Sequence, residues 1–192
     1  MVDRRSVLKL GAASAAGALA GIPAPSLGAA WVDAASPLYR AVFDERFDEA
    51  VAFADELRRR GVVVSSIGSD LAAVWYGDLH ARLVRVRAPI AGLTDRATLF
   101  CLEELARSAG MRVLYRVDHL IDERGHVEHD AVGPAAIVAA AGTLTSDTGF
   151  GREMAVLASH FDATERQVMA ALKRTGPFSA AGTTTLVSWL IA

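Results

Sequence analysis

Three histidines and two carboxylates fall close together in the middle of this chain. Asp118-His119 precedes, and His126, Glu128 and His129 follow, the turn-forming run Asp122-Glu123-Arg124-Gly125. Two extended arms about such a turn predict a hairpin, Arg116–Ile121 against His126–Ala131. Pairing Ile121 with His126 puts His119, His126 and Glu128 on one face and Asp118 with His129 on the other. Two imidazoles and a carboxylate are a ligand set for zinc or a non-haem metal. Asp118 beside His129 would instead orient an imidazole for base catalysis. A solvated hairpin with cross-strand charge pairs explains the same residues without either chemistry, and a one-residue change of register would reshuffle the faces.

A second group sits in loops. Asp44-Glu45, Ser65 to Asp70 and Ala91 to Asp95 each join an apolar, β-branched run to a helical pattern. Glycine, hydroxyls and a helix N-terminus recur in the last two, so backbone N–H groups there attract carboxylates or phosphates. Asp44, Ser66, Gly68, Ser69, Asp70, Gly92 and Thr94 are the candidate ligand-binding residues, the acids among them favouring a polar or cationic ligand. Ser69, Asp70 and Thr94 also suit simple helix capping.

Elements that would position these residues follow from periodicity. Leu38–Phe43 reads as a strand and Glu45–Arg60 as a helix, with Phe47, Ala50, Val51, Ala54 and Leu57 on one stripe. Val62–Ile67 reads as a strand buried on both faces, Leu71 to about Leu83 as a helix, and Val84–Ala91 as a strand with Pro89 at an edge or bulge. Asp95–Ala109 is helical, capped by Thr94, and Met111–Ile121 is a strand. Ala135–Ala141 and 152–161 are helical, with a loop at 142–151. Asp162 and Glu165 form a capping box for a helix over 163–174, and Thr183–Ile191 is a final strand. Three strand–helix–strand passes predict an α/β fold: a single three-layer domain over 31–192, with a mostly parallel sheet plus a β-hairpin and C-terminal helices. Ligands of such sheets bind at the carboxyl edge.

Composition narrows the chemistry. The chain has no Asn, one Gln (Gln167), two lysines (Lys9 and Lys173) and a net charge of −2. That balance has no electrostatic footprint for nucleic acid. With Cys101 as the one cysteine, no intrachain disulfide forms, and this chain alone holds no iron–sulfur cluster or c-type haem. Cys101 lies between Phe100 and Leu102 and reads as a buried thiol; His80 and His160 read as helix-end residues.

Asp3-Arg4-Arg5-Ser6-Val7-Leu8-Lys9 opens the chain, followed by an uncharged Ala/Gly-rich run, Leu10 to Gly21, then Pro23-Ala24-Pro25-Ser26 and Gly28-Ala29-Ala30. This resembles a twin-arginine (Tat) signal peptide, with Arg4, Arg5, Leu8 and Lys9 carrying the resemblance and Asp3 standing where Ser or Thr is commoner. The mature domain resembles no family. The resemblance implies export of a folded bacterial protein by the twin-arginine translocase, cleavage near Ala30, and a periplasmic or secreted product; an uncleaved signal would anchor it in the inner membrane. Losing residues 1–30, with Asp3, Arg4, Arg5 and Lys9, takes the net charge from −2 to −4. Three roles follow: a protein that binds a small polar ligand or is accessory to another exported protein; an interaction subunit of a periplasmic redox complex; and a metal-dependent or hydrolytic enzyme using the His119/His126/Glu128 face.

Overall fold

The computed structural model describes residues 38–68, 70–144, 149–162, 168–173 and 182–192, all of which belong to one compact unit, Trp31–Ala192. The segment that resembles an export signal, Ser69, residues 145–148 and Glu165 lie outside the described residues. The elements are β1 (Arg40–Phe43), α1 (Asp48–Arg59), β2 (Val64–Ser66), α2 (Leu71–Val74), a π-helical turn (Trp75–Leu79), α3 (His80–Val86), β3 (Ile90–Asp95), α4 (Arg96–Ser108), β4 (Val113–Ile121), β5 (Val127–Pro134), α5 (Ala135–Ala141), α6 (Phe150–His160), β6 (Met169–Leu172) and β7 (Thr184–Ile191).

Among the described residues, seven strands form one sheet in the order β2-β1-β3-β7-β4-β5-β6. The α/β class is as the sequence predicts, but the sheet is mixed rather than mostly parallel. Only β2-β1-β3 pair in parallel, and every pairing from β3 to β6 is antiparallel. The crossover from β3 through α4 does leave β4 pointing the same way as β3. Between them it leaves a gap one strand wide, and β7, from the chain's far end, fills it antiparallel to both. Local periodicity carries no trace of so distant a pairing.

Helices cover both faces. On one, Val42, Ile90, Val187, Trp189 and Ile191 pack with Leu99, Leu102 and Ala106 of α4 and with Trp75, Leu79 and Leu83. On the other, α1 packs on β1 and against α6, whose Phe150 stacks on His119 of β4. Burial of the aliphatic and aromatic groups in these two layers is the main stabilising term, at roughly 25 cal/mol per Å². Gly92 of β3 permits a close approach between neighbouring strands. A Cβ there would stand 2.2 Å from the Trp189 ring, so the missing side chain lets the indole lie across the neighbouring strand.

Five further expectations are corrected. Val84–Val86 extends the preceding helix, because Trp75, Leu79 and Leu83 form its buried stripe; β3 starts only at Ile90, beyond Pro89. β2 is an edge strand of intermediate burial, not one buried on both faces. Residues 169–172, placed in a C-terminal helix by the sequence, form β6 paired to β5. Cys101 is exposed, since α4 turns Leu99, Leu102 and Ala106 inward. His80 lies inside the continuous run from Leu71 to Val86 instead of at a helix end, whereas His160 is the last residue of α6.

Candidate functional site

The chain runs from β1 to β2 on one side of β1 and then crosses to β3 on the other, so the strand order reverses between β1 and β3. In open α/β sheets, ligands bind outside the carboxyl ends of the strands at such a point. Two carboxylates stand there. Asp44 follows the last residue of β1 and is fully buried; Asp95 ends β3. Both accept hydrogen bonds from the same guanidinium. Arg46 donates through Nε to Asp44 Oδ1 (2.9 Å) and through Nη2 to Asp44 Oδ2 (2.5 Å) and Asp95 Oδ2 (2.9 Å).

Burial and charge explain why these three groups meet. A carboxylate without solvent access is strongly unfavourable unless paired and hydrogen-bonded. Asp44 meets that requirement with the guanidinium and the Arg46 backbone N–H (3.1 Å). Partial burial opposes ionisation of Asp95, but it is outweighed by the hydrogen bonds from Thr98 and by Arg46, which together hold its carboxyl below the usual range. Asp44 chiefly, and Asp95 after it, hold the Arg46 guanidinium more firmly protonated than usual. The Arg46 side chain itself is 61% exposed, so the cation enters the pair from solvent.

Asp44 and Ser66 belong to this edge. Ser66 Oγ donates to Glu45 Oε2 (2.7 Å), tying the β2 end to the loop after β1. Gly68 N donates to Ser66 Oγ (3.3 Å), and Asp70 caps α2 by accepting from Ala73 N (3.0 Å). Gly92 and Thr94 are internal to β3 and are not loop residues. Thr94 is fully buried and accepts from Trp189 Nε1 (3.0 Å); the cap of α4 is Asp95, which accepts from Thr98 N (2.7 Å). The helix therefore starts one residue later than the sequence suggests. Asp95 is not singled out by the sequence because an acid at a helix start reads as ordinary helix-end chemistry, and Arg46 because its partner Asp95 lies 49 positions away.

The hairpin forms in a different register. Asp122 N donates to His126 O and Gly125 N to Asp122 O, each at 3.0 Å, while Gly125 has φ +81°. A three-residue loop ending on a left-handed glycine pairs Ile121 with Val127, not with His126. His119 now faces His129, and Asp118 faces Asp130. Glu128 lies on the opposite face from His119, and His126 is exposed at the tip, so the proposed metal triad does not converge. Among the described residues, no cluster of three or more His, Cys, Asp or Glu could hold a metal ion.

The same register builds a buried polar row instead. His119 has no solvent exposure; its Nε2 lies 2.7 Å from Ser188 Oγ and its Nδ1 lies 2.8 Å from His129 Nδ1. Burial first, and the neighbouring His129 second, hold the His119 imidazole well below its ordinary pKa. A serine, a histidine and an orienting imidazole in line resemble a nucleophile set in composition, but Ser188 is also fully buried.

Fold and switch point together define an α/β protein with a cation held between two strand ends. The chain matches no protein family, no curated protein and no solved structure. No helix among the described residues is long and apolar enough to cross a membrane.

Proposed function

We propose that this chain is an exported α/β protein that binds a small cationic ligand, an amine or a guanidine, between Asp44 and Asp95. One observation carries the reading: two carboxylates from different strand ends converge on one guanidinium at the point where strand order reverses. Arg46 occupies the place a ligand cation would take. Its exposed side chain can swing into solvent, but Asp44, being buried, requires a cation in exchange. Glu45 adds a third acid to the same edge. Export rests on the Arg4-Arg5 pair and the Leu8-Lys9 that follow it. A role as accessory to another exported protein is compatible with the same site.

Thermal unfolding of the full chain and of Arg46→Ala, with methylammonium, methylguanidinium, acetate and phosphate in turn, tests the ligand class. The cations should raise the melting temperature of Arg46→Ala more than that of the unaltered protein, and the anions should make no such distinction between the two. If no cation stabilises either protein, the binding reading is wrong. Fractionation of cells expressing an Arg4→Lys, Arg5→Lys variant tests export. Retention in the cytoplasm is expected, and an unchanged compartment would contradict it.

A further inference from the structure

Beyond the switch point, α4 packs over β3 and β7. A groove of about 580 Å³ opens there between α4 and β4, walled by Arg96, Ala97, Phe100 and Cys101 with Arg116 on its sheet side. Its volume falls in the range of small-molecule sites, about 300–1,000 Å³.

The polar end of the groove is organised by one carboxylate. Arg116 donates Nε to Asp118 Oδ2 (2.8 Å) and Nη2 to Oδ1 (2.7 Å), while Arg96 Nη2 reaches the same Oδ1 (2.9 Å). Asp118 is 13% exposed, against 62% for Arg96 and 37% for Arg116. One shielded carboxylate thus fixes two guanidinium groups that remain open to solvent, and the trio carries one net positive charge. Glu103, also on the wall, is drawn aside by Arg107 (3.4 Å). Guanidinium planes held in place lose little freedom on accepting a carboxylate, and their forked donors match its geometry. The other wall is apolar. Phe100 is 63% exposed on α4, a large ring turned to water beside the arginines.

We infer that this groove binds a small monoanionic carboxylate with an aromatic or aliphatic body, its charge on Arg96 and Arg116 and its body on Phe100. A phosphate dianion fits less well, because Asp118 has already neutralised one of the two guanidinium charges, Asp130 pairs opposite Asp118 on β5 and Glu103 stands nearby. The site prefers the opposite charge to the switch point and does not depend on it.

Cys101, the chain's single cysteine, is exposed on the groove wall and reports its occupancy. The rate at which neutral iodoacetamide alkylates Cys101 in the full chain is measured against rising benzoate, acetate, inorganic phosphate and benzylamine. Benzoate should slow alkylation at least tenfold at saturation, with acetate, phosphate and benzylamine at the same concentration doing so far less. Arg96→Gln should raise the benzoate concentration needed by tenfold or more. Phe100→Ala should erase the advantage of benzoate over acetate. Both Arg96 and Phe100 are more than half exposed, so these variants keep the fold. Equal protection by benzoate and acetate, tighter binding of phosphate, or protection that survives Arg96→Gln would overturn the inference.

Discussion

His119 Nδ1 lies 2.8 Å from His129 Nδ1, and a single proton must serve both rings. One imidazole donates and the other accepts, while the second nitrogen of His119 is taken up by Ser188. Protonating both rings would place two charges at that separation, under the stacked ring of Phe150.

Stability should therefore fall in mild acid. His119 has a depressed pKa in the folded protein, so below its unfolded value of about 6.5 the unfolded chain takes up a proton that the native state refuses. Its contribution is complete above that pH and declines as pH drops, by up to about 1.4 kcal/mol per unit for one histidine. Urea unfolding between pH 5 and 8 measures the slope. His119→Phe should flatten it, and an identical slope in the variant would show that other groups are responsible.

Trp189 depends on two residues of β3. Gly92→Ala would drive a methyl into the indole and should destabilise the protein by about 1–3 kcal/mol, the usual cost of overpacking. Thr94→Val removes the acceptor of the indole N–H and should cost about 1–3 kcal/mol for the unsatisfied donor. Gly77, with open space around its Cβ position, is the control: Gly77→Ala should not destabilise. Chemical denaturation of the three variants checks the order.

Glu49 joins α1 to α6. Its carboxylate accepts from the backbone N–H groups of Gly149 (2.6 Å) and Gly151 (2.7 Å), capping a helix one hundred residues further along the chain. Glu49→Ala should lower stability by about 1–2 kcal/mol, as loss of a helix cap does. Hydrogen exchange should show the loss concentrated in the first turn of α6. Uniform loss across the sheet would contradict this assignment.

Local signals in the sequence match the structure where the structure is itself local. Ala135–Ala141 is helical over those same residues, and α1 and α4 fall within one to three residues of their expected bounds. Asp70 was identified as a cap and Asp44 as an edge residue from their neighbours alone. The errors share a physical origin. The insertion of β7, the pairing of β6 and the continuation of the helix to Val86 are each decided by contacts between distant segments. Hairpin register turned on whether three or four residues make the loop, and that single step moved Glu128 away from His119. Arg46 and Asp95 escaped notice because nothing within a few residues says they meet.

Calorimetric titration of methylguanidinium into Arg46→Ala, with and without Asp95→Asn, tests the switch-point site most directly. Asparagine caps a helix about as well as aspartate, so the second change removes charge without unmaking the start of α4. One molecule should bind per chain in Arg46→Ala, and the affinity should fall at least tenfold when Asp95→Asn is added. No measurable binding, or binding unaffected by Asp95→Asn, would contradict a cation site between the two strand ends.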